Sequence, residues 1–132
     1  MLLAFRSIDN IEINLIDYDN EVYTKKEYEY SKYVSSATYI RLKLPSILPS
    51  ISKLLYIDGD TLIMDDLLEL YNLDLDNKII AGTIDWLCIA DKWKNADYIR
   101  NTLPNYEQEY INAGVLLLDL VKLRQCKFED IC

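Results

Sequence analysis

Three short, mostly apolar runs stand out along this chain. They lie within residues 53–57, 78–84 and 115–118. Each run is bounded by polar or turn-forming residues, and a short apolar run of this kind is typical of a buried β-strand. The pattern therefore predicts three strands at these positions.

Two further segments have weaker strand patterns. Residues 11–16 alternate apolar and polar side chains, which predicts a strand with one covered face. Residues 61–64 are mostly apolar and follow an Asp-Gly-Asp turn, so we predict a short strand there as well. Residues 17–32 are polar and rich in tyrosine without clean periodicity, and are predicted to be loop with a helical turn.

A helical pattern begins near residue 37. Apolar side chains recur there at intervals of three and four residues as far as residue 48. Ser35 or Ser36 is a candidate cap for the start of this helix. Pro45 lacks an amide hydrogen and should bend or break the helix near Lys43.

Four further segments suggest helices. We predict them at residues 1–8, 65–70, 91–101 and 120–125, the last of which Asp119 would cap. Strands that alternate with helical segments are typical of an α/β fold, with helices flanking a mostly parallel sheet. No linker or internal repeat is visible, so we expect one unit.

Charge limits the possible partners of the chain. Its 132 residues carry a formal net charge of −8, and 51% of them are apolar. Nucleic acids and anionic membrane surfaces would be repelled by most of such a surface. A phosphorylated substrate would need a metal ion or a focused local cation at its binding site.

The cysteine and histidine contents exclude several kinds of site. Three cysteines without C-x-x-C spacing argue against a disulfide framework or a zinc site and favour a reducing compartment. No apolar stretch approaches the ~20 residues of a membrane span, and we expect a cytoplasmic protein without a signal peptide. The absence of histidine excludes Ser-His-Asp and Cys-His catalysis within this chain.

The strongest candidate site is the sequence Asp58-Gly59-Asp60, which directly follows the predicted strand 53–57. Strand ends in open α/β sheets are where ligands gather. Two carboxylates held close together suit Mg²⁺ or Mn²⁺, which usually also contact substrate phosphates. Asp-Gly between two apolar runs is also a common hairpin turn, and both interpretations stay open for this triplet alone.

Four segments of the chain, taken together, resemble glycosyltransferase family 8 in order and approximate spacing. This family includes bacterial lipopolysaccharide glucosyl- and galactosyltransferases, glycogenins and plant galacturonosyltransferases. The segments are residues 36–42, 53–60, 81–85 and 110–120. The resemblance implies a GT-A fold, a Rossmann-like α/β sheet, of which residues 1–132 would be the central part of a single domain.

The resemblance also implies roles for individual residues. Asp58 and Asp60 match the metal-binding pair, and Gly59 would let ribose or phosphate approach the backbone. Arg41 matches a donor-site arginine that offsets phosphate charge; a solvated surface arginine is the alternative. Asp85 matches an aspartate that accepts hydrogen bonds from sugar hydroxyls, although a helix cap is as plausible.

One more segment matches the family's sugar pocket. Asn112 and Ala113 belong to this turn, which Gly114 completes. An Asn-x-Gly sequence before a strand is also ordinary turn chemistry. The resemblance thus implies a retaining, metal-dependent hexosyltransferase with a UDP-sugar donor, Mn²⁺ or Mg²⁺, and a saccharide or glycolipid acceptor. Such enzymes act in lipopolysaccharide or surface-glycan synthesis, in the cytoplasm or at the periphery of the inner membrane.

Some family elements are not found in this sequence. The opening βα unit, a later Asp-Gln-Asp segment and a His-x-x-Gly-x-x-Lys-Pro-Trp element, whose histidine is a metal ligand, are absent. A truncated, non-catalytic remnant is therefore one alternative. A phosphohydrolase of the haloacid-dehalogenase type is another, but Asp58-Gly59-Asp60-Thr61 lacks the residue that separates the second aspartate from the threonine in those enzymes.

Overall fold

The structure is a computed structural model that describes residues 11–16, 40–90, 97, 101–103, 105 and 110–131. The chain forms two compact units, Met1–Ile40 and Arg41–Cys132. In the first unit, residues 11–16 are irregular and exposed. The prediction of a strand over these residues is wrong, because none of their apolar side chains is covered by a partner.

The second unit contains a three-stranded sheet. Its strands are β1 (Lys53–Ile57), β2 (Ile80–Ile84) and β3 (Ile111–Asp119). The strand order is β1-β3-β2, and β3 pairs antiparallel with both neighbours. All three predicted core strands are confirmed. The expectation of a mostly parallel sheet is wrong for the described residues, because the last strand returns between the first two in the opposite direction.

The core of this unit is centred on β3. Its apolar run is buried, with Leu117 only 2% and Leu118 only 3% exposed. A central strand is covered on both faces and paired on both sides, which suits a continuous apolar run. Leu120 and Leu123, just after the strand, extend the same core and are equally buried.

Among the described residues, short helices lie before, between and after the strands. They are α1 (Ile40–Ile47), α2 (Leu68–Asn72), α3 (Trp86–Ile89), α4 (Leu120–Gln125) and α5 (Phe128–Ile131). The predicted helix near residues 37–48 is thus confirmed from Ile40 onward. Pro45 does not break it near Lys43: the helix continues to Ile47, and the proline ring is buried.

The capping prediction for α4 is confirmed. The backbone N–H of Lys122 donates to Oδ1 of Asp119 at 2.9 Å. This bond satisfies one of the amide groups that the start of a helix leaves without a partner. Asp119 therefore ends β3 and begins α4 without an intervening loop.

Arg124 of α4 holds the end of α1 in place. Its guanidinium donates to the carbonyls of Pro45, Leu48 and Ile51 at 3.0, 3.3 and 3.0 Å. These carbonyls belong to the last turn of α1 and the residues after it, where helical partners are missing. One planar side chain thus attaches the end of α1 to α4, and Lys43 and Ser46 of α1 also bind the carboxylate of Glu129 in α5.

Several remaining predictions differ from the structure or lie outside it. Residues 61–64 form no strand, and Leu62 and Met64 are 78% and 82% exposed. The helix predicted at residues 65–70 starts later, at Leu68. Four predictions lie outside the described residues: those for residues 1–8, for residues 17–32, for the cap at Ser35 or Ser36, and for most of residues 91–101. Among the described residues, no helix is long and apolar enough to cross a membrane.

Candidate functional site

The directions of the strands bring three chain segments to one edge of the sheet, which we call the site edge. β1 and β2 run in the same direction and end there, at Asp58 and Asp85, while β3 runs oppositely and begins there. The backbone of Asp58 continues the pairing, since its N–H donates to the carbonyl of Gly114 at 2.8 Å. The site edge therefore combines two strand ends with one strand start.

An irregularity in β3 shapes this edge. Gly82 pairs with Leu116 and Ile84 with Ile111, so a step of two residues along β2 is matched by a step of five along β3. The extra residues are those around the Asn-Ala-Gly turn. Extra residues in one strand bend it and change where its side chains point. The sequence did not reveal this irregularity, since residues 115–118 alone carried the strand pattern.

Arg41 joins the two sides of the site edge. Its Nη1 donates to the carbonyl oxygen of Ala113, and its Nη2 lies 3.3 Å from Oδ1 of Asp58. The arginine side chain is only 14% exposed and that of the aspartate 33%. Arg41 lies three residues before Leu44, on the face of α1 that packs against the core. The cation is therefore held in the site and is not a solvated surface arginine.

Tyr56 is the site residue that the sequence did not single out. Its hydroxyl donates to Oδ1 of Asp58 at 2.5 Å, and the guanidinium of Arg41 lies 4.9 Å from the centre of its ring. Burial, followed by the hydrogen bond to the carboxylate, raises the pKa of Tyr56 above its usual value of 10.0. The hydroxyl therefore keeps its proton near neutral pH. The signal was present in the alternation of β1, since residues two apart share a face.

Gly114 leaves space between two oxygen atoms. A Cβ at this position would lie 3.0 Å from Oδ1 of Asn112 and 3.2 Å from Oδ2 of Asp58. The Asn112 oxygen also accepts the N–H of Gly114 at 2.8 Å, which closes a local turn. Both the turn interpretation and the site interpretation of this segment are therefore compatible with its geometry.

Asp60 differs from Asp58 in its surroundings. It is exposed, and its side chain makes no hydrogen bond or ion pair to any residue that the structure describes. Asp60 lies within a turn that the N–H of Thr61 closes by donating to the carbonyl of Asp58 at 3.1 Å. An alanine Cβ at Gly59 would meet nothing within 4 Å. The carboxylate of Asp60 is thus open to solvent or a ligand.

Asp85 stands at the end of β2, on the far side of β3 from Asp58. Its Oδ1 accepts the backbone N–H of Leu87 at 3.0 Å, at the beginning of α3. Its own N–H donates to the carbonyl of Tyr110 at 3.1 Å. Asp85 therefore lies at the predicted edge and has the contacts of a turn or cap residue.

The carboxylates of the site edge suit a hard cation but do not enclose one. Among the described ranges, no three histidine, cysteine, aspartate or glutamate side chains are grouped closely enough to form a metal cage. Mg²⁺ and similar ions are usually held by one or two carboxylates together with waters and substrate phosphates. Asp58 and Asp60 fit that incomplete kind of site.

Comparison with known proteins decides the family. The model of the family described as "Glycosyl transferase family 8" matches residues 3–132. The chain belongs to glycosyltransferase family 8. The resemblance seen in the four sequence segments is thereby confirmed, and the family contradicts the phosphohydrolase alternative.

Individual relatives agree with this assignment. A "Putative glycosyltransferase" of Haemophilus influenzae is 39% identical over 93 residues, which are 70% of this chain and 27% of that protein. "General stress protein A" of Bacillus subtilis is 24% identical over 87% of this chain and 38% of its own length. "Probable galacturonosyltransferase 13" of Arabidopsis thaliana is 31% identical over 53% of the chain and 13% of its own length.

Solved structures support the GT-A fold. The galactosyltransferase LgtC in complex with donor and acceptor sugar analogues superposes with a TM-score of 0.58 and 34% identity, over 70% of this chain and 32% of that one. The bifunctional glycosyltransferase WbbM gives a TM-score of 0.62 with 25% identity, over 75% and 20%. The chain spans less than two fifths of the length of each of these relatives.

Proposed function

We propose that the site edge is the nucleotide-sugar site of a retaining, metal-dependent hexosyltransferase. The donor would be a UDP-sugar, and the acceptor a saccharide or glycolipid of a bacterial surface glycan. One observation carries the proposal: a held cation, Arg41, lies beside the carboxylate of Asp58, while Asp60 stands open two residues later. A diphosphate needs both a cation and a metal-binding group in an acidic protein.

The contacts of each residue support a role in binding the donor. Arg41 is fixed by Ala113, Asp58 and the Tyr56 ring, so little side-chain entropy is lost when it meets a phosphate. A guanidinium also matches the oxygen geometry of phosphates better than an ammonium does. Asp58 and Asp60 would hold Mn²⁺ or Mg²⁺. The bound ion would stabilise the negative charge on the departing nucleoside diphosphate.

The sugar-binding assignments rest on position. Asp85 stands at the same edge, and Asn112 and Ala113 form the exposed start of β3. Carboxylate and amide oxygens accept hydrogen bonds from sugar hydroxyls. The names of the relatives, galactosyl- and galacturonosyltransferases, support a hexose or hexuronic acid as the transferred group.

A calorimetric titration tests the proposal. UDP is titrated into the protein with Mn²⁺ present, and again with EDTA in place of the metal. We expect heat only with the metal. Replacing both carboxylates, in Asp58→Asn/Asp60→Asn, should abolish the signal, because neutral amides are poor ligands for a hard cation.

The chain provides a matched control for charge and spacing. Asp74 and Asp76 are also two residues apart, but they lie near the opposite end of the sheet. The variant Asp74→Asn/Asp76→Asn makes the same change in net charge and should bind UDP like the original. An equal loss of UDP binding in both double variants would show that the loss comes from the change in net charge and not from the site. No heat from folded original protein would refute the donor-site proposal.

A further inference from the structure

The two oxygens of the Asp58 carboxylate have different surroundings. Oδ1 accepts the hydroxyl hydrogen of Tyr56 at 2.5 Å and lies 3.3 Å from Nη2 of Arg41. No residue in the described part of the chain donates a hydrogen bond to Oδ2. The carboxylate is therefore held by one oxygen and open at the other.

The open oxygen faces a defined space. Oδ2 of Asp58 lies 3.2 Å from the point that a Cβ of residue 114 would occupy, and Gly114 leaves that point empty. The side-chain oxygen of Asn112 borders the same point at 3.0 Å. Two oxygen atoms with partial or full negative charge thus line a space that only the glycine keeps open.

The geometry points to Tyr56 as a positioning residue for the cation site. Its hydroxyl, together with Arg41, occupies Oδ1 of Asp58, so that a divalent cation meets this carboxylate through Oδ2 alone. The inference rests on the proposed function, because it concerns how the same cation is bound. It adds a residue that does not itself contact the cation or the substrate.

Two physical effects give Tyr56 this role. A carboxylate on a flexible side chain loses rotational freedom when it binds a metal, and a hydrogen bond that already fixes it removes much of that cost. Hydrogen bonds to ligating carboxylates typically change metal affinity about 10- to 100-fold. Occupation of Oδ1 also disfavours bidentate binding, in which both oxygens contact the same ion.

The test is Mn²⁺ binding to Tyr56→Phe in the presence of UDP. Free Mn²⁺ is measured by its electron paramagnetic resonance signal, which needs no catalytic turnover. Phenylalanine keeps the ring beneath Arg41 and removes only the hydroxyl. We expect the variant to bind Mn²⁺ about 10-fold more weakly, with an unchanged circular dichroism spectrum.

Tyr71 supplies a matched control. A cation also lies over its ring, since Nζ of Lys53 is 5.5 Å from the ring centre, and its hydroxyl also donates, to the carbonyl of Lys53 at 3.4 Å. Tyr71→Phe therefore removes the same atom from a similar setting away from Asp58. We expect it to bind Mn²⁺ with the affinity of the original protein.

An infrared measurement distinguishes a role of Tyr56 in positioning the Asp58 carboxylate from a general effect on the structure. The gap between the two carboxylate stretching bands is wider for one-oxygen than for two-oxygen metal binding. In Mg²⁺-induced difference spectra, with Asp58→Asn as the reference, we expect the wide gap in the original protein. A narrower gap is expected for Tyr56→Phe, because Oδ1 is released toward the ion.

The outcomes distinguish this inference from the proposed function. If the original protein binds Mn²⁺ and Tyr56→Phe binds it equally well with the same bands, Tyr56 is not a positioning residue, yet the donor site stands. A loss of affinity in both tyrosine variants alike would also overturn the inference. If the original folded protein binds no Mn²⁺, both proposals fail together.

Discussion

Each end of the sheet carries two aspartates separated by one residue, and the two pairs differ in what holds them. At the site edge, Asp60 is exposed and makes no hydrogen bond to any described residue. At the opposite edge, Oδ1 of Asp74 accepts the backbone N–H of Asp76 at 2.8 Å, and the carbonyl of Asp76 accepts Nζ of Lys122 at 2.7 Å. In the second pair the held carboxylate, Asp74, thus binds a backbone amide of its own turn, whereas the held carboxylate of the first pair, Asp58, binds a guanidinium and a tyrosine hydroxyl.

The cations of the two edges differ in their partners. Lys53, at the opposite edge, donates to the carbonyl of Leu73 at 2.8 Å, and Lys122 lies 3.4 Å from Oδ2 of Asp119. Both lysines border a cavity of about 420 Å³. Arg41, in contrast, faces a carboxylate with an open oxygen. The two edges therefore differ in the partners of the held carboxylate: a guanidinium and a hydroxyl at the site edge, and a backbone amide at the opposite edge.

The largest effect that we expect comes from Arg124, which holds α1 and therefore Arg41 at the site edge. Arg124→Ala removes three hydrogen bonds to backbone carbonyls. Hydrogen bonds from charged groups contribute about 1.5–3 kcal/mol, so we expect a loss of about 2–3 kcal/mol in the free energy of unfolding. Urea denaturation measures this loss.

Lysine at the same position sharpens the test. Arg124→Lys keeps the charge but cannot reach three carbonyls with one ammonium group, so it should restore less than half of the lost stability. Full recovery with lysine would show that charge alone matters. In both variants we expect weaker UDP binding, because α1, which carries Arg41, loses one of its attachments to the core.

Alanine variants of the three glycines of the chain distinguish effects on the site from effects on packing. Gly114→Ala places a methyl group between the Asp58 and Asn112 oxygens, and we expect about a 10-fold loss of Mn²⁺ affinity in the presence of UDP. Gly82→Ala meets the side chains of Ile111 and Leu116 at 3.0 Å, so it should cost about 1 kcal/mol of stability by overpacking. Its metal affinity should remain unchanged.

Gly59→Ala is the control in this series. An added Cβ there meets no protein atom within 4 Å, so stability should not change much. A loss of Mn²⁺ affinity that appears only with UDP present would reflect the ribose or phosphate that Gly59 is expected to let approach. Calorimetry and thermal denaturation of the three variants measure both quantities. A binding loss for Gly82→Ala as large as that for Gly114→Ala would contradict the assignment of Gly114 to the site.

The sequence could predict the strands because their apolar runs are local. It could not predict their direction, which depends on how residues far apart in the chain pair. In a parallel sheet, Asp58 and Asp85 would share an edge as two strand ends. The structure brings both of them to one edge with Asn112 because β3 begins where β1 and β2 end. The three residues thus share an edge, although the described strands pair antiparallel where a mostly parallel sheet was expected.

The sequence patterns that gave wrong predictions have a common feature. Residues 11–16 and 61–64 have strand-like patterns, but no partner covers their apolar side chains, and they stay irregular. The sequence does not single out Tyr56, because its role in the site depends on contacts with Asp58 and with Arg41, which belongs to a different element. Neither pairing partners nor contacts across elements are encoded in a local pattern.

The smallest expected effect concerns Asp119, which closes the opposite edge. The N–H of Lys122 donates to its carboxylate and lowers its pKa below the usual 3.8, with its burial opposing that shift. Asp119→Ala removes the helix cap and should cost about 1 kcal/mol of unfolding free energy near pH 7. Asp119→Asn retains an oxygen that can cap the helix and should cost much less.

The pH dependence of this loss follows from the direction of the pKa shift. Because the folded pKa is lowered, the charged carboxylate stabilises the folded state fully above the unfolded value of 3.8. That contribution disappears as the pH falls through the folded pKa, since the carboxyl is then protonated in both states. The difference between the original and Asp119→Ala, measured by urea denaturation from about pH 7 down to about pH 3, should therefore shrink only in the acid range. A difference that stays constant over this range would show that the charge of Asp119 does not stabilise the cap.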